Sequence, residues 1–261
     1  MNEAAYRAAP GVNWSALKHI GVSPLYYRHM ASQSFDSPAM LVGRAVHCAV
    51  LEPEAFESRY VTQPDFGDLR TKAGKAMRDA FNPGGREVLT VAQRETVSDM
   101  ATAVSQHDTA NRLVRGLTHR ELPVFWTDAA TGLRCKGRLD GVGPGYILSL
   151  KTAREDTPEA FGRAYFQRLY HGQAAFYADG HGQALPEVTI VVQNHAPYDV
   201  WVLDTPDEAI DEGRRVYGDL LERLAACDGV YTDGAVPERA VLPVPKYVRL
   251  EESTDVFGGE S

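Results

Sequence analysis

Residues 121–153 constrain this chain most, because "ELPVFWTD", "LRCKGRLDGV" and "YILSLKT" follow one another there as three strand-like segments. Turn signals separate them, Ala130-Thr131-Gly132 after the first and Gly143-Pro144-Gly145 after the second. The tight turn at 143–145 sends the chain back on itself, so the second and third segments form a hairpin. Side chains alternate along a strand, which puts Tyr146, Leu148 and Leu150 on one face and Ile147, Ser149 and Lys151 on the other. A lysine on the same face as a serine, at the end of an apolar strand, needs an explanation.

The rest of the chain arranges itself around that hairpin. "WSALKHIGVSPLYYRHM" reads as a short helix, a turn at Ser23-Pro24 and a further aromatic-rich helical turn. In "SPAMLVGRAVHCAVLEP", Ser37 is a cap, Pro38 takes the first helical position and Pro53 closes the helix. Residues 54–120 are polar and helical in pattern, broken near "NPGG" at 82–85. After the three strands, Asp156 or Thr157 caps one long helix that Gly180 ends. "VTIVVQN" and "VWVLDT" are two more strands, and 207–226 is an amphipathic helix. The expected fold is α/β, a central mixed sheet flanked by helices with a helical insertion at 54–120. The domain expectation is one unit over 1–240, helical through 120 and sheet-based from 121 to 226, with a mobile tail at 241–261.

Composition excludes some classes. The chain of 261 residues has no apolar stretch of roughly 18 or more residues, so no membrane span is expected. Its start, "MNEAAYRAAPGVNW", lacks the basic and apolar regions of a secretory signal. Cys48, Cys135 and Cys227 stand far apart, which argues against a zinc or iron–sulfur cluster and fits a reducing cytoplasm. The formal charge of −8 means that any nucleic-acid contact must come from a local basic surface.

Asp140 ends the second strand and lies near Ser149 and Lys151 across the hairpin. Taken singly, Asp140 is a turn residue capping Gly141-Val142, and Lys151 is a solvated strand end. An acid, a second acid and a lysine at such a point would hold a divalent metal and a water beside a phosphate. His47 lies one helical turn after Gly43, so its imidazole has open space over that glycine; the plainer reading is a hydrogen-bonded core residue. Gln173 and Tyr177 share a helix face at i and i+4, which ordinary amphipathic packing also explains. Arg70, Lys72, Lys75 and Arg78 place four positive charges in nine residues, either a solvated face or a phosphate-contacting patch.

In order and spacing these pieces resemble the RecE-type (exonuclease VIII-like) branch of the PDDEXK nucleases. "WSALKHIGVSPLYYR" is similar to that family's opening serine–leucine–lysine and serine–proline segment, and "GRAVHCAVLEPEAF" to its glycine–histidine helix. "RTKAGKA" is similar to its basic segment, "ELPVFW" and "TGLRCKGRLDGV" to the strands reaching its first acid, and "QAAFY" to its glutamine–tyrosine motif. The resemblance implies a metal-dependent exonuclease on double-stranded DNA ends, working 5′-to-3′ in phage or bacterial recombination. It implies Mg2+ or Mn2+ held by His47, Asp140 and the backbone carbonyl of Leu150, with Glu121 a further acidic neighbour. Lys151 would orient or activate the attacking water, and Gln173 and Tyr177 would brace the site or touch DNA. A homo-oligomeric ring and a single-strand annealing partner are implied as well.

Position 149 departs from the pattern, since the family places an acid there and this chain has serine. A hydroxyl is a weak neutral ligand where Mg2+ prefers carboxylates. Three readings stay open: a degenerate natural site, an altered sequence, or an acid relocated to Glu155, Asp156 or Glu159; Gln193 is neutral and no substitute. The rival functions are a DNA-end-binding protein without catalysis and a structural or adaptor protein without DNA binding.

Overall fold

The computed structural model describes residues 3–33, 36–227 and 229; the tail expected at 241–261 lies outside the described residues. The helical part runs α1 (Glu3–Ala8), α2 (Trp14–Leu17), α3 (Pro24–Ser32), α4 (Pro38–Leu51) and α5 (Phe56–Arg59), then β1 (Tyr60–Thr62), α6 (Lys72–Ala80) and β2 (Glu87–Leu89), and finally α7 (Val91–Gln106) and α8 (Asp108–Arg115). The sheet part follows with β3 (His119–Thr127), β4 (Arg134–Gly143), β5 (Tyr146–Ala153), α9 (Pro158–Gln167), α10 (Tyr170–His181), β6 (Glu187–Gln193), β7 (Val200–Asp204) and α11 (Asp207–Ala226).

Five strands form one mixed sheet in the order β3-β4-β5-β6-β7. The first three are antiparallel neighbours, β5 and β6 are parallel, and β7 returns antiparallel to β6. Gly145, at φ 90°, permits the tight turn between β4 and β5, a conformation that residues with a Cβ rarely adopt. Every residue of β6 is buried, as its unbroken run "VTIVV" requires of a strand covered on both faces.

The core lies on both sides of that sheet. On one face Leu148 and Leu150 of β5 and Ile190 and Val192 of β6 pack with Ala45, Val46 and Leu51 of α4 and with Met100 of α7. On the other, Leu139, Val142 and Ile147 meet Ala178 of α10, while α2, α10 and α11 share a second cluster around Trp14, Phe176 and Leu221. Helix starts follow the sequence signals. Ser23, Ser37 and Thr157 accept the backbone N–H three residues on at 3.0, 3.2 and 3.2 Å, each with proline at the next position.

Three local expectations are corrected. The helix expected from 156 to 180 is two helices, broken where Leu169 takes φ 57°. A left-handed non-glycine residue costs about 1–3 kcal/mol, here offset by packing of the Leu169 side chain against the cluster around Trp14. The helix end is at Gly182, φ 76°, not at Gly180, whose missing Cβ leaves room for the Trp126 ring. The segment 54–120 is not purely helical, since β1 and β2 pair in parallel from Tyr60↔Glu87 to Thr62↔Leu89. Among the described residues no helix is long and apolar enough to cross a membrane.

Candidate metal centre

The β3–β4 ladder is distorted at one point. It pairs Arg120 with Gly141 and Leu122 with Leu139 but skips Glu121 and Asp140 between them. Glu121 there has φ 48°, an uncommon conformation for a residue with a Cβ. Leu139 and Val142, three residues apart, belong to the same apolar cluster beneath α10, which regular alternation would forbid. The strand therefore rotates at Asp140. One oxygen of Glu121, one of Asp140 and one imidazole nitrogen of His47 come within 4.8 Å of one another.

Asp140 also marks where β4 and β5 separate. Their ladder runs only from Gly143↔Tyr146 to Gly141↔Leu148. Past it, the Asp140 side chain replaces the missing backbone partner, and its Oδ2 accepts the Leu150 N–H at 2.8 Å. His47 reaches the same place from α4, with Nδ1 3.6 Å from Asp140 Oδ1. The nearby Leu150 backbone also favours the protonated ring. Burial holds this imidazole below its ordinary pKa; Asp140 and the Leu150 contact oppose that, and Lys151 adds to it. The neutral ring is the form that can ligate a metal.

Burial, together with the Asp140 and Glu52 carboxylates, pushes Glu121 up to about 8. Arg59, itself bound to Glu52, acts in the other direction, and Arg138 Nε lies 2.8 Å from Glu121 Oε2. Two crowded carboxylates and an imidazole, beside a backbone carbonyl, form a donor set suited to Mg2+ or Mn2+. A divalent cation there would relieve the repulsion that lifts Glu121.

The lysine side of the site is built by α10. Lys151 Nζ donates to Gln173 Oε1 at 3.0 Å and lies 5.1 Å from the Tyr170 ring centre. Gln173 Nε2 in turn donates to Tyr177 Oη at 3.4 Å, so the two residues form one chain leading from Lys151. Burial pushes the Tyr177 phenol up to about 12, so it stays protonated. Its ring lies against Gly137 of β4, where a Cβ would come within 2.9 Å of it. The break at Leu169 starts α10 afresh and sets the direction in which these side chains project.

Ser149 is buried at 8% exposure, between Ile147 and Lys151 on the face toward α10. The acids considered for relocation are engaged elsewhere or exposed. Glu155 is bound to Arg168 at 2.5 Å, Asp156 faces His195 at 3.3 Å with a largely exposed side chain, and Glu159 sits exposed in the first turn of α9. The acid that joins Asp140 and His47 is Glu121, from β3.

The basic run lies on and just before α6, where all described side chains but Gly74 are exposed. Arg70 pairs with Asp68 at 3.1 Å and Arg78 with Asp79 at 2.6 Å, so Lys72 and Lys75 carry its outward charge. Lys18, the lysine of the opening serine–leucine–lysine segment, has no site role in the sequence reading. It lines a cleft of about 300 Å³ with His19, Gln167, Arg168, Leu169 and Tyr170, which adjoins Lys151 through the Tyr170 ring. Burial and the Lys151 charge both lower its pKa. Among the described residues the cleft lining carries the cations Lys18 and Arg168 and no carboxylate, with Lys151 near enough to act on Lys18.

With this geometry in view, residues 14–236 match the family described as "PDDEXK-like domain of unknown function (DUF3799)". The chain belongs to this family. Among solved structures, a candidate exonuclease of Eubacterium rectale is similar over 93% of this chain and 92% of that one, at 14% identity and a TM-score of 0.57. At that identity the likeness is one of fold. LHK-Exo in complex with dAMP is 13% identical over 72% of this chain and 91% of that chain, with a TM-score of 0.29. No curated protein matches the sequence. The PDDEXK-like family has thus brought its mixed sheet and flanking helices to this chain, with serine at position 149.

Proposed function

We propose that this PDDEXK-like protein is a divalent-metal-dependent exonuclease on double-stranded DNA ends, degrading one strand 5′-to-3′ and leaving a 3′ single strand. The observation that carries the reading is the convergence of His47, Glu121, Asp140 and the Leu150 backbone in the gap between β4 and β5, beside Lys151. His47, Glu121, Asp140 and the Leu150 carbonyl would hold Mg2+ or Mn2+. When bound there, the cation supplies Lewis-acid stabilisation of phosphate charge and a water of lowered pKa.

The chain's own groups do the rest. Lys151, fixed by Gln173 and Tyr170, orients the attacking water and balances charge on the phosphate. The neutral His47 ring leaves a nitrogen for ligation. Gln173 and Tyr177 keep the lysine chain in place, and the cleft at Lys18 receives a phosphate of the strand being degraded. Lys72 and Lys75, with Arg70 and Arg78, track the duplex backbone. A homo-oligomeric ring around DNA and an annealing protein that takes the 3′ strand complete the proposal, within phage or bacterial recombination.

End-labelled duplexes incubated with Mg2+ or Mn2+ test it: loss of nucleotides from the 5′ end is expected, and none with EDTA. Ser149 favours one second reading, a DNA-end-binding protein of the same fold without catalysis. Metal-independent end binding with no cleavage would establish that reading instead.

A further inference from the structure

The N-terminal segment reaches the centre from outside the ligand set. Helix α1 has only six residues, too few to be stable alone, so its place is imposed by contacts. Lys136 of β4, 5% exposed, donates to the carbonyls of Tyr6, Arg7 and Ala9 at 3.2, 3.2 and 2.7 Å and so caps the end of α1. Val12 then bridges to Cys135 on the edge of β4 that β5 leaves open. Anchored at both points, the segment lays the Tyr6 ring over two cations, Lys136 at 5.2 Å and Arg138 at 5.3 Å from its centre. Phe125 of β3 backs the ring at 6.1 Å.

Arg138 is the guanidinium that bonds Glu121 at 2.8 Å. We propose that Tyr6 is a positioning residue for the metal centre: its ring braces Arg138, and Arg138 orients the Glu121 carboxylate toward His47 and Asp140. The inference rests on reading those three residues as a cation site. A planar guanidinium with an aromatic ring against it and a carboxylate on Nε has little freedom left. Groups that orient a ligand from behind commonly control affinity for the ion as much as geometry does.

The test is Mn2+ affinity of the full chain, measured by calorimetry without DNA. Tyr6→Ala is expected to weaken binding about tenfold, the lower end of what removing such a supporting group costs, while Tyr6→Phe keeps the ring and stays near wild type. Because Tyr6 acts through Arg138, Tyr6→Ala should have no further effect in an Arg138→Gln background. A general loosening of the fold would instead weaken both backgrounds. Equal Mn2+ affinity in wild type and Tyr6→Ala, or additive losses in the double variant, would overturn the inference and leave the metal reading standing. Wild-type protein that binds no Mn2+ would remove the metal reading and this inference together.

Discussion

The Asp140 carboxylate accepts the Leu150 N–H at 2.8 Å, so one side chain both pairs the β5 backbone and faces His47. The two duties can be separated by substitution. Asp140→Ala should abolish metal-dependent cleavage and also cost about 1–3 kcal/mol, because a part-buried N–H loses its acceptor. Asp140→Asn keeps an acceptor oxygen and should recover most of that stability without recovering cleavage. Thermal melts beside a nuclease assay check both, and an active alanine variant would remove Asp140 from the centre.

Ser149→Asp should tighten Mn2+ binding and raise cleavage, because it restores a charged ligand on the face that carries Lys151. Without metal the new carboxylate adds to the repulsion between Asp140 and Glu121, so the variant should melt below wild type in EDTA. Metal at a hundredfold excess over its dissociation constant returns about 2.7 kcal/mol, and the order of melting temperatures should then reverse. If the serine protein cleaves well and the variant does no better, Glu121 already supplies the acid that matters.

Glu121 gives the pH dependence. Its carboxyl is raised from 4.5 to about 8 in the folded chain, so below the lower value both states hold the proton and it has no effect. Between those values the unfolded chain releases the proton and the folded chain keeps it. Metal-free stability should therefore fall as pH rises across that window. Glu121→Gln should flatten the slope in melts taken in EDTA. Mn2+ binding, which needs the carboxylate, should strengthen over the same interval and release protons to the buffer.

Changing Lys72 and Lys75 to glutamate should weaken DNA binding and reduce its dependence on salt by roughly one power for each phosphate no longer neutralised. Stability should barely change, since α6 is exposed on nearly every side. Arg70 and Arg78 should matter less, because each already has a carboxylate beside it. Anisotropy titrations at several salt concentrations decide, and an unaltered slope would make the run a solvated face.

Much of this fold was legible because its signals are local. Alternation and the Gly143–Gly145 turn give the β4–β5 hairpin, and serine or threonine before proline marks three helix starts. Gln173 and Tyr177, four residues apart on a helix, do share a hydrogen-bonded chain. What escaped depends on distant partners. No local pattern says that Glu121 adopts a left-handed backbone, or that Leu169 breaks a helix where its part-buried side chain packs against the Trp14 cluster. Lys18 stood in the serine–leucine–lysine segment with no role attached to it, since only the folded chain brings it to the cleft beside Lys151. The short β1 and β2 strands, three residues each, carry too little periodicity to stand out from their helical surroundings.

The bridge between Val12 and Cys135 has one more effect. Where β5 swings away, β4 would present an open row of amide and carbonyl groups, and Val12 fills it through bonds of 2.8 Å to Arg134 and from Lys136. An uncovered strand edge is a template for other chains. Protein shortened to begin after Val12 should then self-associate through β4, growing in light scattering with concentration while the full chain does not. Val12 would then act as the cover that keeps this stretch of β4 from pairing with a second copy.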